Sequence, residues 1–274
     1  MLMYLWIALS VAGSLLIVAG LLHALPKFGF KGVTEWLSKA PGLDVFIFYF
    51  TVLPLFAGPW MAVRSTLDGG FWVGLAGVVA AVAGQVLTVC VWTVLHEMAH
   101  REAVRGPRIV KQINRSVGPL RNHAAVWWTA WAVPIFAVIR IAQYIVYPPL
   151  TWLVRLPKYK HAEWVSVSRH KFDGLVGHDM IWCLYCDWMT GVWSLGSEML
   201  RNVESFWCPI RFMPDKKCEN CKTDFPDIDG GWAAFNSGME EVEKTHAEHY
   251  PGPDGVNAWF GHPVRLTVKG KKKK

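Results

Sequence analysis

The chain has 274 residues, 53% of them hydrophobic and only 18% charged, with 16 Trp and a mean hydropathy of +0.24. That balance is poor in charge for a soluble globular domain, and Trp concentrates where membrane meets water, so the first class to test is integral membrane. The formal charge of +7 sits largely beside the apolar runs, as membrane topology already demands, and calls for no nucleic acid.

The first apolar run, Leu2 to Leu25, is long enough to cross a bilayer, which takes about 20 residues. It begins MLMYLW and ends HALPKF. It lacks the basic start and small-residue cleavage site of a secretory signal, so a retained span is expected. The second run, Leu43 to Val63, is broken by Pro54 and Pro59. The third, from Phe71 to about Leu95, carries Gly74, Gly77, Ala81 and Gly84, a small-residue face suited to close helix packing in lipid. Lys27, Lys31 and Lys39 follow the first span, and Arg101, Arg105, Arg108, Lys111, Arg115 and Arg121 follow the third. The positive-inside rule therefore puts the N-terminus outside and these loops in the cytoplasm.

The third span ends in VLHEMAHREAVRGPR, which holds the pattern His-Glu-x-x-His as His96, Glu97 and His100. Residues four apart share a helix face, so the two imidazoles can meet one metal ion. Glu97 then stands where a metalloprotease keeps its general base. Imidazoles and a carboxylate at the apolar end of a span are costly unless paired, hydrated or bound to metal. Hydrogen bonding at the membrane surface is the simpler alternative. The stretch resembles the first box of intramembrane zinc proteases of the site-2 type, which take a third ligand from a Leu-Asp-Gly motif. Phe172-Asp173-Gly174 matches that motif in part, so the resemblance implies Asp173 as ligand, although Asp173 follows the polar run SVSRHK rather than lying in a span. The stretch is also similar to the first histidine box of membrane di-iron desaturases and hydroxylases. That likeness implies oxygen activation, and the further His-x-x-His-His boxes of those enzymes are absent. Each likeness covers a few residues of the chain.

Residues 124–157 are apolar and Trp-rich but interrupted by Pro134, Arg140, Gln143 and Pro148-Pro149. Interfacial or re-entrant helices are expected, with a fourth span as the alternative; Trp127, Trp128, Trp131 and Trp152 suit the headgroup layer.

From about Lys158 the chain is more polar. Cys183 and Cys186 form one Cys-x-x-Cys pair, Cys218 and Cys221 another, and Cys208 lies between. Two such pairs can close a tetrahedral metal site. In an oxidising compartment the same residues would form disulfides. Cys90, in the third span, reads as a small apolar filler. The segment 194–207 has apolar residues at helical spacing, and His246 and His249 fall on an acidic helix beginning near Ser237. The terminal KGKKKK is a solvated tail or a contact for anionic lipid. There is no Gly-rich phosphate loop.

The expected fold is therefore mainly α: a polytopic membrane protein with about three transmembrane helices (near 2–25, 43–63 and 71–97), interfacial or re-entrant helices, and a Cys-rich aqueous C-terminal domain. The divisions are 1–122, 123–157 and 158–274, in an inner (cytoplasmic) membrane with the last domain cytoplasmic. The expected function is that of a membrane metalloprotein with a redox or oxygenase-type role, alone or as a subunit of a larger membrane complex. Its metal would be iron, an iron–sulfur cluster or zinc, and its partners lipids and other membrane subunits. An intramembrane zinc protease and a non-catalytic accessory or assembly subunit are the alternatives.

Overall fold

A computed structural model of the chain describes residues 1–66, 69–212, 232–250, 255, 257 and 268–269. It is mainly helical, at 77% helix. Among the described residues the named strands are one antiparallel pair, Lys158–Tyr159 with Val268–Lys269. Four helical stretches are long and apolar enough to cross a membrane: Leu2–Ala24, Gly42–Arg64, Phe71–Ala99 and Pro119–Leu153. The first three coincide with the expected spans to within two residues. The fourth is the Trp-rich region, running as Pro119–Thr129, Ala132–Ile145 and Tyr147–Leu153. By contact the chain divides into two units, Met1–Ala137 with Val165–Gly191, and Val138–Trp164 with Val192–Lys274.

In the first unit, small residues let the spans approach at backbone distance. A Cβ on Gly58 would overlap the Gly77 carbonyl and Ala81, one on Gly77 would overlap the Gly58 carbonyl and Ala62, and one on Gly84 would overlap the Ala8 carbonyl and Val11. Lipid tails are as apolar as leucine, so such close van der Waals packing, rather than hydrophobic exclusion, holds spans together. Gly74 is looser, its nearest neighbours being Pro59 and Val63 side chains at 3.8 and 3.9 Å. The contacts also fix direction. Gly84 meets Ala8 and Val11, and farther along the same two helices His96 meets His23. The first and third spans therefore run parallel, with their C-terminal ends together. Gly58, late in the second span, meets Gly77, early in the third, so those two run antiparallel.

The second span contains a π-helical turn, Phe48–Val52, just before Pro54. Proline has no N–H to give the carbonyl four residues back, which here is Phe50. Gln85 of the third span supplies that donor, its amide reaching the Phe50 carbonyl at 2.8 Å and the Thr51 carbonyl at 3.0 Å. An irregular backbone inside an apolar bundle persists where a neighbouring helix satisfies it in this way.

Residues beyond Val165 return to the end of the bundle formed by the C-termini of the first and third spans. The Ala40 N–H donates to the Val165 carbonyl at 2.9 Å and the Val167 N–H to the Ser38 carbonyl at 2.8 Å. The helix Gly177–Trp207 then begins. It takes in both Cys183 and Cys186 as well as the segment expected at 194–207.

In the second unit the later part of this helix buries Val192, Leu195 and Met199, while Leu200 stays exposed. The polar residues that interrupt the Trp-rich region are inward-facing. Arg140 and Gln143 are both buried. Gln143 donates to the Val192 carbonyl at 2.7 Å, and Arg140 donates to the Gln143 side chain at 2.6 Å and to the Tyr144 hydroxyl at 2.8 Å. Polar groups so partnered are compatible with an apolar helix. The acidic helix is Met239–His249.

Candidate metal centre

His96 lies in the last turn of the third span and His100 ends it. Their ring centroids are 4.5 Å apart, as expected for side chains one turn apart on a helix. His23 joins them from the end of the first span, with centroids 5.6 Å from His96 and 5.9 Å from His100. One ligand nitrogen of each of the three lies within 4.8 Å of the others. Among the described residues this is the group of side chains that could hold a metal. Its third member is His23 and not Asp173, which is exposed on the wall of a neighbouring cleft. His23 ends a helix that runs parallel to the third span, so the two C-terminal ends lie together. The motif itself, being local, gives no hint of it.

The donor set suits a transition metal. Neutral imidazole is a ligand for zinc, copper, iron and nickel, whereas magnesium and calcium take oxygen. Tetrahedral zinc at its usual Zn–N length sets its nitrogens about 3.4 Å apart, so small rotations of three side chains close the observed spacing. His96 is buried, and Trp92 stacks on it at 4.5 Å; His23 and His100 are exposed. The Gly177 N–H donates to Nδ1 of His96 at 3.2 Å. A neutral ring in this orientation carries its proton on Nε2. Ligation through Nε2 therefore requires the ring to turn or the Gly177 hydrogen bond to open.

Glu97 is committed elsewhere. Its Oε1 accepts from Arg108 Nη2 at 2.8 Å and from the His178 N–H at 3.3 Å. Arg108, itself buried, also donates through Nε to Asp179 at 2.6 Å and through Nη2 to the Val176 carbonyl at 3.2 Å. Asp179 further accepts from the Val110 N–H at 3.0 Å, and His178 Nδ1 lies 3.8 Å from it. Burial alone would raise the Asp179 carboxyl, but the His178 ring and the Arg108 guanidinium outweigh it and hold it below the usual carboxylate range. Gly177 closes this knot. Its φ is +56°, and a Cβ there would overlap the Glu97 side chain. Only a glycine allows the loop to lie so close to the histidine helix.

Cys183 and Cys186 are free thiols one turn apart on Gly177–Trp207 in the first unit, half-buried and exposed respectively. Arg169 contacts both: its guanidinium is raised first by a hydrogen bond to Cys186. Burial pushes the Cys183 thiol up, and Arg169 only partly offsets this. Cys208 is a free, exposed thiol in the second unit. Cys218 and Cys221, the polar Cys-x-x-Cys pair, lie outside the described residues. Cys90 is exposed on the third span.

No protein-family model matches this chain, and searches of curated proteins and of solved structures return no match. The geometry of the site therefore carries the functional argument.

Proposed function

We propose that this is an integral membrane metalloprotein that binds a transition metal through His23, His96 and His100 and serves a redox or oxygenase-type reaction. The observation that supports it is the convergence of three imidazoles from two parallel spans at one end of the bundle. Three protein ligands leave open positions on the metal, the arrangement that catalytic sites keep and structural sites close. When bound, such a metal would supply Lewis-acid or electron-transfer chemistry. The chain's own residues orient the His96 ring: Trp92 covers one face, and the Gly177 N–H occupies Nδ1 in competition with a metal.

The zinc-protease reading needs Glu97 as a free general base near the metal's water. Its ion pair with Arg108 and its hydrogen bond from His178 speak for a structural duty instead. Iron is the metal the redox reading calls for, although the three imidazoles by themselves suit zinc, copper, iron or nickel alike. A thiolate-held iron–sulfur or zinc site remains part of the proposal as a second centre, with Cys218 and Cys221 joined either by Cys183 and Cys186 or by Cys208, since the helix Gly177–Trp207 holds that pair and Cys208 apart at about 1.5 Å per residue.

The topology we infer is N-terminus outside, with the metal end of the bundle on the cytoplasmic side of an inner (cytoplasmic) membrane. Residues on both flanks of 119–153 meet that same end: Arg108 and His96 before it, Val176, Gly177 and Asp179 after it. A single crossing by 119–153 would put its flanks on opposite faces. Entry and exit from one face, as a re-entrant or interfacial pair, fits these contacts.

The test is elemental analysis of full-length protein purified in detergent without chelators. About one iron per chain with visible absorbance is expected, lost in His23→Ala and kept in Asp173→Ala, on the ligand set above. Zinc alone without visible absorbance would favour hydrolysis. Loss of metal in Asp173→Ala but not His23→Ala would overturn the triad.

A further inference from the structure

His100 does not only face the triad. It also forms part of the wall of an open cleft of about 1320 Å³ in the first unit, between the end of the third span and residues 168–175. The cleft has two chemistries. Arg101, Arg169 and Lys171 supply cations, while Ile109, Phe172 and Leu175 supply apolar wall. Of its carboxylates, Asp179 is already held by Arg108, and Glu102 and Asp173 remain.

The position of the cleft is fixed by the helix that starts at its edge. Ile109–Val117 presents Ile109, Ile113 and Val117 on one exposed stripe, 52%, 39% and 48% accessible, and Leu120 follows at 81%. Lys111 and Arg115 are also exposed. An exposed apolar stripe flanked by basic residues belongs in the headgroup layer of a membrane. The same segment joins a membrane-spanning helix to the apolar stretch that begins at Pro119, so it cannot be far from the bilayer surface. Phe172, across the cleft, is 73% exposed. The cleft thus opens at headgroup depth, with His100 in its wall.

We infer that this cleft binds an anionic membrane lipid, its phosphate against Arg101 and Lys171 and its chains along Ile109, Phe172 and Leu175. This rests on the metal reading above only in naming the lipid as the amphiphile brought to His100; the binding itself does not require metal.

The probe is phosphatidylglycerol. Full-length protein in mixed micelles with equal phosphatidylglycerol and phosphatidylcholine of the same chains is analysed by native mass spectrometry, with metal content measured on the same samples. Wild type should retain phosphatidylglycerol over phosphatidylcholine by about thirtyfold, the scale expected of two basic residues near an anionic headgroup. Arg101→Gln/Lys171→Gln should lose that preference and keep its metal. Arg115→Gln, on the interfacial helix but off the cleft, should keep both. Equal retention by wild type and the double variant, or equal loss in Arg115→Gln, would overturn the cleft as a lipid site. Loss of metal in His23→Ala with lipid preference intact would separate the two proposals, as would the reverse. Phe172→Glu provides a second variant: it places a carboxylate on the apolar wall and should reduce lipid retention without touching the basic pair.

Discussion

Arg108 and Asp179 are 71 positions apart in the chain and 2.6 Å apart in space, each with a side chain at most 4% exposed. Arg108 also carries Glu97 at 2.8 Å, so one guanidinium ties the end of the histidine helix to the start of the helix Gly177–Trp207. A buried cation so shared is costly to remove. Arg108→Met leaves two carboxylates facing each other without a counter-charge and should cost about 3–5 kcal/mol. Arg108→Lys should rescue little, because a point charge cannot reach both carboxylates and the Val176 carbonyl at once. Thermal unfolding of the purified protein in detergent checks both. An Arg108→Met protein as stable as wild type would mean that the network is hydrated and weak.

Gly177 offers a sharper test of how closely the loop must lie on the histidine helix. Two penalties coincide there: a left-handed φ of +56° and overlap of any Cβ with Glu97. Gly174, three residues earlier, has φ +76° but open space around its Cβ position. Gly174→Ala should therefore cost about 1 kcal/mol, the conformational penalty alone. Gly177→Ala should cost clearly more, because the overlap with Glu97 adds to the same conformational penalty, while metal content should not fall, since the Gly177 N–H competes for Nδ1 of His96. Equal effects of the two substitutions on unfolding temperature would refute the close-approach argument.

Local pattern made the spans legible, and topology made the site legible only in hindsight. Twenty-residue apolar runs and the Gly77, Ala81, Gly84 stripe are read directly from sequence, because lipid imposes length and small residues mark close approach. His96, Glu97 and His100 are equally plain, the two histidines being four apart on one helix. His23 is 73 positions before His96 and becomes a partner only through the parallel packing of two spans. The role of Glu97 was hidden for a similar reason. The motif suggests a base, but its partners Arg108 and His178 arrive from segments whose approach depends on Gly177. In the Trp-rich region Arg140 and Gln143 look like breaks until their partners, Tyr144 and the Val192 carbonyl, are known.

The Asp179 carboxylate gives the knot a pH signature. Its folded pKa lies below the ordinary carboxylate value, because the His178 ring and the Arg108 guanidinium outweigh burial. A carboxyl with a depressed folded pKa contributes stability that is fully present above its unfolded pKa of about 3.9. That contribution is lost as pH falls through the folded value. Wild type should therefore show no dependence on this group between pH 5 and 8, and should lose stability steeply below about pH 4. Asp179→Asn removes the titration and leaves Arg108 with Glu97 as its one carboxylate partner. It should be less stable than wild type by about 2–4 kcal/mol at neutral pH, with the gap narrowing as wild type is acidified. Unfolding temperatures of the two proteins in one detergent, taken from pH 3 to 8, decide it. A gap that stays constant down to pH 3 would show that the carboxylate charge is not what Arg108 holds.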